Sequence, residues 1–361
     1  MSLPDLSEEA TELGRQATPR PRFLRHPVAF AALGVVAAAV LVFLVRETRR
    51  SPQSAAPKQA QESAESADCL ADVGVLDVRP GRASRSFWKT LDPSDCRPRS
   101  WLSRYSEPGQ TLEEFRSAER APIGPGHPLQ LFALTPFRSE RISPVLPIVT
   151  QFLEIYFTES VDGLPAQPLP GSALTTQSES GPTYDAAALL DALAGSCPEG
   201  AAACLAVTDQ DLSLEGLRYL FGLGQVRDRL GVMSTFRLGG DVRSQSTGLL
   251  RPARPVDRLR RVLKVAVHEV GHQLGLAHCR HFGDCVMAGS GSLEASDESH
   301  VMLCPLEHEK LRWKLGFVPA QRFDTLARFA AEHGLHKEGA YWARMAESSP
   351  RYPQASGAVP Q

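Results

Sequence analysis

The sequence has no surplus of basic residues. Its 39 lysines and arginines are outnumbered by 41 aspartates and glutamates, for a formal net charge of −2. A chain so balanced cannot neutralise a phosphate backbone, which argues against nucleic acid as its main partner. Cysteine is scarce, with seven in 361 residues, too few for a scaffold stapled by disulfides. Internal repeats are absent. At 42% hydrophobic and 22% charged, the chain also lacks the polar bias of a disordered protein. Its length allows one large domain or two modest ones.

Long apolar runs are absent too, with one exception. Residues 28–45 (VAFAALGVVAAAVLVFLV) carry no charge and no polar stripe. As a helix this run spans about 27 Å, close to the hydrocarbon thickness of a bilayer. A buried core helix of that length normally keeps a polar face. The preceding polar segment, 1–27, and the length of the run also set it apart from a cleaved signal peptide. It is expected to be a single transmembrane helix. Four basic residues flank each side (Arg15, Arg20, Arg22 and Arg25; Arg46, Arg49, Arg50 and Lys58), so the positive-inside rule does not orient it. Residues 46–68 are small, polar and proline-containing, as expected of a flexible linker. Globular composition begins at Cys69, and a domain is expected over 69–318, followed by a helical extension and tail over 319–361.

Within the domain, 129–134 (LQLFAL), 204–208 (CLAVT) and 232–238 (VMSTFRL) have strand character, and 217–221 (LRYLF) has it more weakly. Ser143-Pro144 resembles a helix start, followed by Val145, Val149, Phe152, Leu153 and Tyr156 at helical spacing. A second helix is expected over 184–194, closed by Gly195. A long one should open at Asp257 and run toward Leu274, and two short ones over 323–346 should break at Gly334. The alternation of types predicts a mixed sheet flanked by helices, an α/β (α+β) fold.

The chemistry lies on the Asp257 helix, in HEVGHQLGLAH. His268 and His272 stand at i and i+4, on one helical face, and can address one metal ion. Glu269 can reach a metal-activated water without ligating. Gly275 stands where the helix must end, since glycine accepts the left-handed conformation of a C-terminal cap. The chain can then return His278 as a third imidazole, and three nitrogens with an open position describe a catalytic zinc site. Chance matches to HExxH alone occur, but the added Gly275 and His278 make coincidence far rarer.

Cys279, Cys285 and Cys304 cluster just beyond that helix. They fit a second, structural zinc, against the alternatives of a disulfide with a free thiol or three buried thiols. For a fourth ligand, Glu307 stands at i+3 from Cys304 and His308 at i+4. Zinc with thiolates takes imidazole more readily, which favours His308. The remaining cysteines are Cys69, Cys96, Cys197 and Cys204. They could form two local disulfides, which would point to an oxidising compartment, or stay as reduced thiols.

HEVGHQLGLAHC, with the later C-V-M and Cys304, resembles the archaemetzincins, a metzincin-like family of zinc peptidases. The segments WLSRYSEPGQTLEEF (101–115), AVTDQDL (206–212), LRYLFGLGQVRDRLGVMSTFRL (217–238) and GSLEASDESHVMLC (291–304) are similar as well. The resemblance covers roughly 97–316. It implies a metzincin-like zincin domain with a mixed twisted sheet, the HExxH helix as cleft floor, and Met287 in the turn beneath the imidazoles. The family's edge strand beside the cleft would fall on 217–221. Two departures stand out: five residues rather than four separate Cys279 from Cys285, and the family's last cysteine position holds Glu307.

These readings predict a membrane-anchored zinc metallopeptidase with two zinc ions. His268, His272 and His278 would hold the catalytic ion, and Glu269 would be the general base. Cys279, Cys285, Cys304 and His308 would hold the structural ion. Its partners would be peptide or protein substrates and the membrane, with the catalytic domain extracytoplasmic. The competing function is a catalytically inactive, zinc-binding membrane-tethered protein. A structural zinc has no need of Glu269, so its presence favours the enzyme.

Overall fold

A computed structural model describes residues 81–349, apart from 83–85, 92–100, 102–104, 106, 119–126, 136–145, 179–180, 226–227 and 244–249. The apolar run 28–45, its flanking segments, Cys69, Cys96 and the Ser143-Pro144 helix start lie outside the described residues. Among the described residues, no helix is long and apolar enough to cross a membrane.

The central sheet has the order β2-β1-β6-β10-β9, with β3 also pairing β1. Its strands are β1 (Leu129–Thr135), β2 (Val161–Gly163), β3 (Gln167–Pro168), β6 (Ala203–Thr208), β9 (Gly222–Gln225) and β10 (Leu230–Ser234). All pairings are parallel except the last, where the edge strand β9 runs antiparallel to β10. A second sheet joins β4 (Leu174–Ser178), β5 (Gly181–Asp185), β7 (Asp211–Leu214) and β8 (Leu217–Leu220).

Every residue of β6 is buried, as expected of a strand covered on both faces. Alternation sends Leu205 and Val207 into one apolar cluster, and Cys204 and Ala206 into another. The smaller cluster is covered by α3 (Ala186–Ala192), whose N-cap Asp185 accepts from the Ala188 amide at 2.8 Å. The larger one lies against α2 (Leu146–Phe157) and α4 (Pro255–Gln273).

The C-terminal helices belong to that larger core. In α7 (Pro319–Glu332) and α8 (His336–Ser348), separated at Gly334 with φ +69°, Phe323, Leu326, Phe329 and Trp342 are buried in it. Phe329 meets Phe152 at 5.0 Å between ring centroids, and Arg322 Nε donates to the Tyr156 carbonyl at 2.6 Å.

Four expectations differ in detail. The helix expected over 184–194 is Ala186–Ala192, with 184–185 in β5. The helix expected from Asp257 begins at Pro255, with Arg254 as N-cap and Asp257 at N3, because proline suits the first helical turn. The strand expected over 232–238 is Leu230–Ser234, and 236–239 form turns. Residues 217–220 are the last strand of the second sheet, and the edge of the central sheet is the next segment, β9. Its sequence, Gly-Leu-Gly-Gln, has little strand propensity. Its glycines serve a close approach described below.

Candidate metal centre

Helix α4 carries the chemistry and is anchored at both ends. At its start, Asp257 accepts from the Arg254 amide at 3.0 Å and from Arg251 at 2.7 Å. Burial pushes the Asp257 carboxyl up, but the arginine hydrogen bonds outweigh it and hold it well below the usual carboxylate range. At its end, the Leu276 amide donates to the Gly271 carbonyl and the Gly275 amide to the His272 carbonyl, with Gly275 at φ +95°. This is the glycine-terminated cap that turns the chain back toward the helix.

The turn brings three imidazoles together. His268, His272 and His278 place donor atoms within 4.8 Å of one another. His268 Nδ1 lies 2.8 Å from the Val286 carbonyl, and His272 Nδ1 lies 2.8 Å from the Leu276 carbonyl. A carbonyl only accepts, so each Nδ1 carries the proton and each Nε2 presents a lone pair. Those two Nε2 atoms stand 3.0 Å apart. Facing lone pairs at that distance repel unless a cation lies between or beside them, so the donor set fits a metal. Burial keeps both rings neutral, pulling His268 down to about 4 and His272 well below its ordinary value.

The third imidazole is steered from far away in the chain. His278 Nδ1 lies 2.8 Å from Glu107 Oε2, which also accepts from Trp101 Nε1 at 3.1 Å. Burial pushes the Glu107 carboxyl up, but these hydrogen bonds outweigh it and keep it ionised, below its ordinary value. A carboxylate behind a ligating histidine fixes its tautomer and orientation. Glu107 lies within a segment quoted above for its resemblance, but nothing in its local pattern marks this role.

Glu269 is 4% exposed and lies against β9. A Cβ on Gly222 would meet Glu269 Oε1 at 2.5 Å, and one on Gly224 would meet the Glu269 carbonyl oxygen at 2.6 Å. Glycine is therefore required for the edge strand to lie on the helix. Burial alone pushes the Glu269 carboxyl up to about 8. A divalent cation at the imidazoles would pull it back down. Met287 is fully buried beneath the helix, where a Cβ on Gly271 would lie 2.6 Å from its Sδ. A cleft of about 330 Å³ opens over these groups, lined by β8, β9 and α4.

Cys279, Cys285 and Cys304 form a second buried cluster, with their Sγ atoms within 4.8 Å of one another. Cys279 Sγ and Cys304 Sγ are 3.8 Å apart, and the Cys304 amide donates to Cys285 Sγ at 3.3 Å. Hydrogen bonds from the other two thiols favour Cys279 as the thiolate, whereas burial pushes Cys285 and Cys304 up. Three converging thiols fit a soft metal.

His308 does not join them, contrary to expectation. Its ring stacks on Phe323 at 4.9 Å and lies 5.3 Å from Phe317, with Nε2 buried and unpartnered. The reason is that Cys304 is the N-cap of α6 (Pro305–Leu315), with extended backbone angles. Helical i+4 spacing counted from it does not bring the two side chains to one face. Glu307 is also buried and accepts from Lys310 Nζ at 3.0 Å through both oxygens. Cys197 and Cys204 form a disulfide.

A model of peptidase family M54 matches residues 200–312, which include both clusters. Archaemetzincin-2 of Macaca fascicularis is 24% identical over 271 residues, covering 67% of this chain and 75% of that protein. The archaemetzincin of Archaeoglobus fulgidus is 35% identical over 109 residues, covering 30% of this chain and 59% of its own. The crystal structure of the archaemetzincin of Methanopyrus kandleri aligns with a TM-score of 0.43 at 29% identity, over 53% of this chain and 97% of that one. Over 200–312 the chain matches the M54 peptidase family, and the relatives it resembles are archaemetzincins.

Proposed function

We propose that this chain is an archaemetzincin-like peptidase that hydrolyses peptide bonds at the three-imidazole site, with His268, His272 and His278 as zinc ligands and Glu269 as general base. The observation that carries this reading is the pair of unprotonated Nε2 atoms 3.0 Å apart, beside a buried carboxylate that makes no bond to them. When bound, zinc supplies Lewis acidity at an open coordination position, activating a water and polarising a carbonyl. Glu269 takes the proton of the attacking water and returns it to the leaving amine. Glu107 holds His278 in register, and Met287 packs beneath the helix. The substrate backbone adds as an extended strand along the free edge of β9, which brings its scissile carbonyl over the imidazoles.

The thiols of Cys279, Cys285 and Cys304 hold a second, structural zinc ion in this proposal. Glu307, whose charge acts on Cys285, is the candidate for fourth ligand in place of His308. The N-terminal run 28–45 anchors the enzyme as a single-pass membrane protein, with 46–68 as tether. The Cys197–Cys204 disulfide supports an extracytoplasmic catalytic domain.

The test is Glu269→Gln. The variant should retain its zinc, measured by elemental analysis, and lose hydrolysis of a mixed peptide library by about 100-fold or more. Wild-type rates in the zinc-loaded variant would overturn the assignment.

A further inference from the structure

The cleft continues along α4, past the imidazoles, to a lysine that peptide hydrolysis as described does not use. Lys264 stands one helical turn, about 6 Å, before His268. It is 3% exposed and lines the cleft together with Ser290, Ser296 and Ser299. Its ammonium donates to the carbonyls of Ser296 and Ser299, the latter at 3.2 Å.

Those two acceptors are neutral, and an ammonium has three protons. Among the described residues, no carboxylate lies within ion-pair distance of Lys264. The neighbouring cations on the helix differ. Arg260 holds Glu338 at 2.6 Å, and Arg261 grips both oxygens of Asp297 at 2.7 and 2.6 Å. Asp297 is therefore taken, although its charge reaches Lys264. Arg322 also lacks a carboxylate, but it lies outside the cleft among the rings of Tyr156 and Phe317. Burying an ammonium without a counter-ion is costly. Here burial pulls Lys264 down to about 8.

We propose that Lys264 anchors a substrate subsite for a carboxylate next to the scissile bond. The carboxylate is either an acidic side chain flanking that bond or the free C-terminus of a short peptide. Either would supply the missing counter-charge. The inference rests on reading the cleft as the peptidase site.

The experiment uses three kinds of fluorescein-labelled octapeptide. One has a glutamate scanned through the central positions and an amidated C-terminus. Its counterpart has glutamine there and is also amidated. The third has glutamine and a free C-terminal acid. Binding to zinc-loaded Glu269→Gln is read by fluorescence anisotropy, and cleavage by the wild type is read by mass spectrometry. At one position, glutamate should be preferred over glutamine by about tenfold, the scale of one charge-assisted hydrogen bond. If the C-terminus is the source, the free acid should instead be preferred over the amide by that factor.

In Lys264→Met the preference should fall to about one. A lysine that only caps the carbonyls after α5 (Leu293–Glu298) would change stability and leave the ratio intact. If Lys264→Met does not fold, carbodiimide coupling of the preferred peptide to the wild type should form an amide at Lys264. Equal binding of all three peptides, a preference that survives in Lys264→Met, or coupling only elsewhere would overturn the proposal. A carboxylate preference in binding without any cleavage would instead sink the peptidase reading and leave the subsite standing.

Discussion

Glu107→Ala removes the carboxylate that, among the described residues, hydrogen-bonds the imidazole cluster, from a position 171 residues away in sequence. Partners behind a metal-bound histidine contribute about 10–100-fold to metal affinity, or about 1.4–2.7 kcal/mol. Glu107 Oε2 serves two donors, His278 Nδ1 at 2.8 Å and Trp101 Nε1 at 3.1 Å, so its loss leaves both unpaired and frees the His278 ring. The Glu107 side chain is 32% exposed and that of His278 18%, however, so water can replace part of the contact. The expected loss therefore falls in the lower half of the range, at about 10–30-fold. Glu107→Gln retains an accepting oxygen and should lose about threefold or less. The assay is peptide hydrolysis against free zinc concentration set by a chelator buffer, which reads the imidazole site and not the thiol cluster. Half-saturation of Glu107→Ala within twofold of wild type would show that the carboxylate does not position His278.

Three further outcomes follow from the same geometry. Gly224→Ala places a Cβ 2.6 Å from the Glu269 carbonyl oxygen and 3.0 Å from His272 Cβ; it should destabilise by about 1–3 kcal/mol and lower kcat/KM, whereas Gly163→Ala, with nothing within 4 Å, should do neither in melts and kinetics. Cys279→Ser should reduce bound zinc by one ion per chain and lower the melting temperature, while His308→Ala should leave zinc content unchanged; zinc loss in His308→Ala would restore the histidine as a ligand. Because the folded-state pKa of Asp257 is depressed, its stabilisation is complete above about pH 4 and disappears as pH falls through the lower folded value. Wild type should therefore exceed Asp257→Asn in melting temperature at pH 7 by an amount that closes in acid, and a constant gap from pH 7 to 2 would contradict this.

Much of the imidazole cluster was legible in the sequence because it is local. His268 and His272 share a face through helical periodicity alone, Gly275 marks the turn, and His278 follows within reach. The Cys197–Cys204 disulfide is equally local, spanning a short turn. The buried strands β1 and β6 announced themselves as short apolar runs, since a strand covered on both faces must be apolar throughout.

What the tertiary structure decided lies between segments. Glycines at 222 and 224 disguise the edge strand, and the reason for them appears only when α4 is laid against β9. Glu107 reaches His278 through a contact that no spacing rule reports. His308 lies apart from the three thiols because Cys304 caps its helix rather than lying within it, so periodicity did not apply at the position where it was used. Residues after 318 join the main core because Phe329 and Trp342 find Phe152. Local spacing specifies which side chains share a helical face. Which distant group fills the space opposite that face is settled only by packing.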